Sequence, residues 1–314
     1  MSPIIEVKDL VKRYKKAEKN AVDNISFSVE EGEFFAFLGP NGAGKTTTIS
    51  ILTTTLSKTS GTVTIAGYDL DKEQSDVRQS IGIIFQNPSL DRNLTGEENI
   101  RFHAILYGLY PFRPNFSMMP DEYKKRVHSL AKILDMEHDM FKAINTYSGG
   151  MKRKLEIVRG LMHKPKVLFL DEPTVGLDPL SRKNLWEYLK EVRKTEKTTV
   201  FLTTHYLDEA EEADRICIVN HGKIIELGTP DQIKEKLIEE YLLVDAKDRK
   251  ALMTELTTKK IPFTKDREIK IDIHETGAQD IIKQIDTPLS HLEIHMPTLE
   301  DAYLEIIGEA KDKK

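Results

Sequence analysis

The sequence predicts an α/β protein with a parallel core sheet, an antiparallel β section, a helical section and a smaller α/β domain toward the C-terminal end. Three observations predict it. Phe34-Phe35-Ala36-Phe37-Leu38, Val167-Leu168-Phe169-Leu170 and Thr199-Val200-Phe201-Leu202 are short unbroken apolar runs, the pattern of strands buried on both faces. A helical stretch around Trp186 to Val192 separates the last two, and strand-helix-strand alternation implies parallel strands joined by crossovers. The first run ends at Gly39 and is followed by Ile49, Leu52 and Leu56 at helical spacing, so strand, glycine loop and helix succeed one another directly.

Ahead of that unit, apolar residues alternate in Ile5-Glu6-Val7-Lys8-Asp9-Leu10 and in Ile25-Ser26-Phe27-Ser28-Val29, as in half-buried strands of an antiparallel sheet. A helical subdomain is expected over about residues 88–160, with Ile100, Ala104 and Leu106 on one side of its first helix and Val127, Leu130, Ile133 and Leu134 on a later one. Gly108-Leu109-Tyr110-Pro111-Phe112-Arg113-Pro114 and Pro120 interrupt it, because proline removes a donor and clashes with the preceding turn; this stretch reads as a surface loop.

After Thr229-Pro230 the pattern changes. Strand-like Tyr241 to Asp245, a helix from Lys247, Ile261 to Thr264, Glu268 to Ile273, a helix near Ala278 and Leu292 to His295 give the order βαββαβ. A last helix carries Leu299, Ala302, Tyr303, Ile306 and Ile307 on one face with Thr298 as its cap, and Lys311 to Lys314 reads as a solvated end. The expected domains are residues 1–235 and 236–314.

Composition narrows the function. With 39% apolar and 31% charged residues the chain should fold, and no run approaches the roughly 18 apolar residues that span a bilayer. The N-terminus carries neither the basic nor the apolar segment of a secretory signal, so the expected place is the cytoplasm. Cys217 is the single cysteine, which excludes an internal disulfide and a thiolate metal cluster, and its apolar setting reads as an inert buried thiol. A net charge of −5 argues against a broad nucleic-acid surface. His291 and His295 lack the further ligands of a metal site.

Three motifs carry chemistry. Gly39-Pro40-Asn41-Gly42-Ala43-Gly44-Lys45-Thr46 fits GxxxxGK[ST] between a buried strand and a helix. Its glycines let backbone N–H groups turn toward the phosphates of ATP, the helix N-terminus adds partial positive charge, Lys45 neutralises phosphate oxygens and Thr46 offers a hydroxyl to Mg²⁺; Thr47 follows at the same helix start. Asp171 and Glu172 end an apolar strand where ligands of open α/β sheets bind, Asp171 suited to the metal and Glu172 to polarising the attacking water. By itself such an acidic strand end is also what a plain solvated terminus looks like. Tyr147-Ser148-Gly149-Gly150-Met151 opens a helix and makes a second anion site, or else a turn with a capping serine. Two molecules packed head to tail would close this site of one over the phosphates of the other.

With these motifs the sequence resembles the ATP-binding-cassette ATPase subunits over about residues 4–230. The resemblance implies a phosphate-loop NTPase cassette fold, with ATP and Mg²⁺ as ligand and metal. It implies that Tyr14 stacks on adenine, that Gln86 in Ile84-Phe85-Gln86-Asn87 touches Mg²⁺ and reports to a permease, and that Ser148, Gly149 and Gly150 clamp the γ-phosphate across a homodimer. Gly176-Leu177-Asp178 resembles the dimer-crossing loop, and His205 the γ-phosphate sensor that assists Glu172 in catalysis. Met151 departs from the family's usual glutamine; Met followed by basic residues, with an ending like Pro297-Thr298-Leu299-Glu300-Asp301-Ala302-Tyr303, resembles the branch of drug and antibiotic resistance exporters, daunorubicin resistance ATPases among them. The resemblance therefore implies an ATP-hydrolysing exporter subunit, peripheral on the inner face of the membrane through a separate permease and without a nucleic-acid partner. The alternative is a cytosolic cassette acting on ribosomes or DNA, which the acidic charge disfavours.

Overall fold

Strand β1 (Ile5–Lys12) turns Ile5, Val7 and Leu10 inward and pairs antiparallel with β2 (Val22–Val29), Val7 opposite Phe27. The computed structural model describes residues 3–86, 89–237, 241–265, 268–273, 277–295 and 298–312. The chain divides into two compact units, Met1–Leu227 and Gly228–Lys314.

In the first unit β3 (Phe34–Leu38), buried at every position, runs through residues 39–44 into α1 (Lys45–Leu52). Next, β4 (Ser60–Ile65) and β5 (Tyr68–Asp69) complete an antiparallel sheet in the order β2-β1-β4-β5, and α2 (Gln74–Ser80) leads to β6 (Ile81–Ile84). The helical section holds α3 (Gly96–Leu106), α4 (Asp121–Ile133) and α5 (Gly149–Leu161). Then come β7 (Val167–Asp171), α6 (Pro179–Glu196), β8 (Thr199–Thr204), α7 (Leu207–Glu211), β9 (Arg215–Asn220) and β10 (Lys223–Gly228).

The second sheet has the order β10-β9-β3-β8-β7-β6, parallel from β6 through β9. Register fixes the site. Leu38 lies opposite Thr204, Asp171 opposite Thr203 and Ile84 opposite Leu170, so the residues that follow these strand ends, Gly39, Gln86, Glu172 and His205, leave one edge of the sheet together. Phe27 of the antiparallel sheet stacks on Phe35, ring centroids 5.6 Å apart, and Phe35 on Phe201 at 5.5 Å. Such pairs contribute about 0.5–1.5 kcal/mol each beyond area burial and lock the two sheets face to face.

Thr95 caps α3 through a reciprocal pair: its hydroxyl accepts from the Glu98 N–H and the Glu98 carboxylate accepts from the Thr95 N–H at 2.8 Å. Ile100, Ala104, Val127, Leu130 and Leu134 are buried as expected, whereas Leu106 is 85% exposed and Ile133 also faces solvent. Leu106 follows Ala104 by two residues, about 200° around a helix of 3.6 residues per turn, which turns it outward. The 110–120 stretch is a connection containing a 3-10 turn at Phe116–Met118. Cys217 is fully buried, and burial pushes its thiol pKa up, as expected for an inert thiol.

The second unit starts with α8 (Pro230–Leu237), ahead of the 235/236 boundary expected from the sequence; Ile233 is buried and α8 packs on the last helix. Its further elements are β11 (Tyr241–Ala246), α9 (Arg249–Thr258), β12 (Phe263–Lys265), β13 (Ile269–Asp272), α10 (Ala278–Gln284), β14 (Leu289–His295) and α11 (Leu299–Asp312). The sheet order is β12-β13-β11-β14. Leu299, Ala302 and Ile306 are buried, and the Thr298 hydroxyl accepts from the Asp301 N–H. Lys311 belongs to α11 rather than to a loose end, while Asn87, Pro297, Lys313 and Lys314 lie outside the described residues. His291 pairs with Glu268 and Glu293, His295 with Asp301, and no metal-holding group of three His, Cys, Asp or Glu exists among the described residues. No helix described is long and apolar enough to cross a membrane.

Candidate active site

The glycine loop is built by close approach. A Cβ on Gly39 would lie 2.3 Å from the Val219 carbonyl, and one on Gly44 2.5 Å from the Ala21 carbonyl, where φ is +106°. Only glycine fits either position. Gly44 begins α1 without any side-chain cap, leaving the first helical N–H groups uncommitted by side chains at the loop. Pro40, Asn41, Gly42, Gly44, Lys45, Thr46 and Thr47 line a cavity of about 370 Å³ together with Ala21, Gln86 and Glu172.

Lys45 is buried in its wall. Its ammonium donates to the Gly39 carbonyl at 2.7 Å and the Pro40 carbonyl at 3.2 Å and stands 3.5 Å from the Glu172 carboxylate. Burial lowers its pKa, against the pull of Glu172 and Asp171. Tyr14 sits beside the loop, half exposed, its hydroxyl 3.3 Å from that of Thr47.

Glu172 is the meeting point. Gln86 donates from Nε2 to one carboxylate oxygen at 3.1 Å, and His205 Nδ1 lies 3.3 Å from the other, which also faces Lys45. Its backbone has φ 46°, a left-handed conformation that costs a non-glycine residue about 1–3 kcal/mol. Thr203 holds it there, accepting the Glu172 N–H at both its carbonyl, 3.0 Å, and its hydroxyl oxygen, 3.2 Å. The same hydroxyl donates to Asp171 at 2.5 Å. Asp171 is buried, and desolvation raises its pKa.

The second motif stands apart from this cavity. Ser148 caps α5, accepting from the Met151 N–H at 3.2 Å, while Asp178 caps α6, accepting from the Ser181 N–H at 3.0 Å. A Cβ on Gly150 would lie 3.0 Å from Ser181 Oγ, so these two helix starts adjoin. Ser148, Gly149, Gly150 and Asp178 do not line the cavity.

Sequence reasoning missed Arg153. Its buried guanidinium donates to the carbonyls of Pro173 at 2.8 Å, Phe85 at 2.5 Å and Asp171 at 3.4 Å, and to Glu156 at 3.1 Å. It thereby ties α5 to the segments bearing Gln86 and Glu172. Glu209 was missed as well; it lies buried behind His205. Both stand in runs of like charge, Lys152-Arg153-Lys154 and Glu209-Ala210-Glu211-Glu212, that give no local sign of burial.

A cavity lined by a helix N-terminus, the buried Lys45 and the Glu172 carboxylate suits a polyphosphate, and comparison with known proteins agrees. The ABC transporter family model matches residues 22–175. The chain is 34% identical to the linearmycin resistance ATP-binding protein LnrL of Bacillus subtilis, over 97% of this chain and 98% of that one. It is also 34% identical to the daunorubicin/doxorubicin resistance ATP-binding protein DrrA of Streptomyces peucetius, over 99% and 94%. Among solved structures, an ATP-binding subunit of an ABC transporter matches with TM-score 0.64 and 32% identity over 74% of this chain and 92% of that one. The dimeric post-hydrolysis state of the cassette MJ0796 bound to ADP and Pi matches with TM-score 0.63 and 28% identity over 72% and 98%. The chain belongs to the ABC transporter family, as an ATP-binding cassette that hydrolyses ATP.

Proposed function

We propose that this cassette is the energy-coupling subunit of an exporter, in which two copies close head to tail around two ATP molecules and move a separate membrane permease. The observation that carries the reading is the convergence on the Glu172 carboxylate of Lys45 from the start of α1, and of Gln86 and His205 from beyond the ends of β6 and β8. A carboxylate beside the phosphate loop and held by three partners is suited to take a proton from an attacking water, a contribution of about 10²–10⁴ in rate. His205 orients Glu172 and reaches the γ-phosphate; Lys45 neutralises phosphate oxygens; Tyr14 offers its ring to adenine.

Thr46, Asp171 and Gln86 present the oxygen donors that Mg²⁺ prefers, and Gln86 is compatible because its amide nitrogen already serves Glu172, leaving its oxygen free to turn to a cation. Bound there, Mg²⁺ would offset charge on the β- and γ-phosphate oxygens. Ser148, Gly149, Gly150 and Asp178, remote from the cavity of their own chain, serve that of the partner copy. A relative in the form of a dimeric cassette with ADP and Pi supports the pairing, and relatives that are resistance proteins for linearmycin and daunorubicin or doxorubicin support export. The cassette then works at the inner membrane face, through the permease alone.

Glu172→Gln keeps the shape and removes the basic oxygen. The expected result is MgATP binding with turnover reduced at least a hundredfold and a dimer in light scattering. Wild-type turnover in that variant would remove Glu172 as base. Capture of the same tagged variant with MgATP from detergent-solubilised cells is expected to recover one polytopic membrane protein; ribosomal or DNA-repair components without a permease would overturn the transport reading.

A further inference from the structure

Behind the two acidic and histidine-bearing turns lies a carboxylate that touches neither the cavity nor solvent. Glu209 is 1% exposed, on α7. One of its oxygens accepts the hydroxyl of Thr174, and the other accepts the hydroxyl of Thr204 at 2.5 Å. Both threonines are fully buried. Each hydroxyl has a single proton to give, and both are committed to this carboxylate. The Thr204 oxygen also accepts the Tyr206 N–H at 2.9 Å, which fixes the turn on either side of His205.

The two tied segments are the ones that matter for hydrolysis. Thr174 lies two residues beyond Glu172 and accepts the Leu177 N–H at its carbonyl, 3.0 Å, so it also anchors the loop leading to Asp178. Thr204 directly precedes His205. A second brace runs alongside: the Arg182 guanidinium lies 4.8 Å from the Tyr206 ring centroid, and that ring is 4.1 Å from the ring of His205. A buried carboxylate needs partners, but any two donors would satisfy it. Here the donors come from the turns carrying the two residues in contact at 3.3 Å.

We propose that Glu209 is a positioning residue for ATP hydrolysis, setting His205 against Glu172 and passing displacements of the Asp178 loop to that pair through Thr174. The proposal rests on the reading of Glu172 and His205 as the hydrolytic pair. It assigns Glu209 no contact with nucleotide, so its loss acts on turnover rather than on binding.

The test uses the full chain and the near-isosteric variants Glu209→Gln and Thr174→Val, with ATPase kinetics, MgATP calorimetry and thermal melts. Each is expected to lower kcat at least tenfold while KM and MgATP affinity stay within threefold. In a His205→Ala background, Glu209→Gln should lower kcat no further, because the residue through which it acts is gone. Wild-type kcat in both variants would overturn the proposal, as would an equal fractional loss with His205 present or absent, the mark of a merely structural role. Should Glu209→Gln fail to fold, Thr174→Val alone and in the His205→Ala background decides the matter by the same criteria. Glu172→Gln is assayed in parallel: turnover retained there defeats the hydrolytic reading, whereas turnover lost there but kept in the Glu209 and Thr174 variants defeats this inference alone.

Discussion

Gln86 Nε2 holds one oxygen of the Glu172 carboxylate at 3.1 Å while the other faces Lys45 at 3.5 Å and His205 at 3.3 Å. The two residues stand 86 positions apart in sequence and meet because β6 and β7 are parallel neighbours. Removing the amide frees the carboxylate to rotate. With Glu172 as the proposed general base, Gln86→Ala should therefore lower kcat about tenfold, the effect of misaligning it, with ATP affinity changed far less. Steady-state ATPase assays paired with calorimetry check the split; an affinity loss without a kcat loss would contradict it.

Lys45→Ala removes the charge aimed into the cavity. A charge-assisted hydrogen bond contributes about 1.5–3 kcal/mol, so MgATP should bind roughly ten- to a hundredfold more weakly. Calorimetry reads this directly, and unchanged affinity would count against the phosphate-loop assignment.

Ser148→Arg tests the second motif. Ser148 does not line the cavity of its own chain, so the variant should bind MgATP as a monomer with near-native affinity. Turnover should fall at least tenfold, and light scattering with ATP in the Glu172→Gln background should find no dimer. Native turnover would mean that the serine is only a helix cap.

Burial holds the Asp171 carboxyl above the ordinary carboxylate range. Ionising it opposes folding, an effect fully present above its folded pKa and absent below its unfolded value near 3.8. Asp171→Asn keeps an acceptor for Thr203 and discards the charge. Without nucleotide this variant should melt at a higher temperature than the native chain at pH 7, and the gap should close as pH falls through the folded pKa. With MgATP the order should reverse if Asp171 serves Mg²⁺ as proposed, since the native chain alone then retains that oxygen donor. Calorimetric melts over pH check both signs.

Arg153→Ala leaves the buried Glu156 with only the Ser89 N–H at 2.9 Å and the Arg159 guanidinium at 3.8 Å, and strips donors from three carbonyls. Breaking a buried pair from one side costs about 3–5 kcal/mol. Urea titration should find a loss of that order, with Arg153→Lys recovering only part because an ammonium cannot reproduce the planar fork.

The legible parts of this molecule were those whose meaning is local. Phe34 to Leu38, then Gly39 to Thr46, is one continuous string in which strand, loop and helix start are all written in adjacent residues. The strands at Val167 and Thr199 read equally well, because burial on both faces gives each an unbroken apolar stretch, Val167 to Leu170 and Val200 to Leu202. Arg153, Glu209 and Thr203 were illegible for the opposite reason: the carbonyl partners of Arg153 lie 18–68 positions away, and the partners of Glu209 and Thr203 lie 5–35 and 31–32 positions away. A charged residue within a charged run shows which helix face turns inward only once the tertiary neighbours exist. Short β5 and Gly-containing β6 likewise depend on sheet partners for their extended form.

The left-handed backbone at Glu172 has a consequence for anyone who engineers this chain. Glycine or asparagine would adopt φ 46° with less strain, so each is expected to raise the melting temperature of the nucleotide-free protein while removing the carboxylate. With Glu172 as the proposed base, a selection for thermal robustness alone would drift toward a slightly more heat-resistant but inert cassette at this one position, and any stabilisation campaign has to hold Glu172 fixed or score turnover alongside heat resistance.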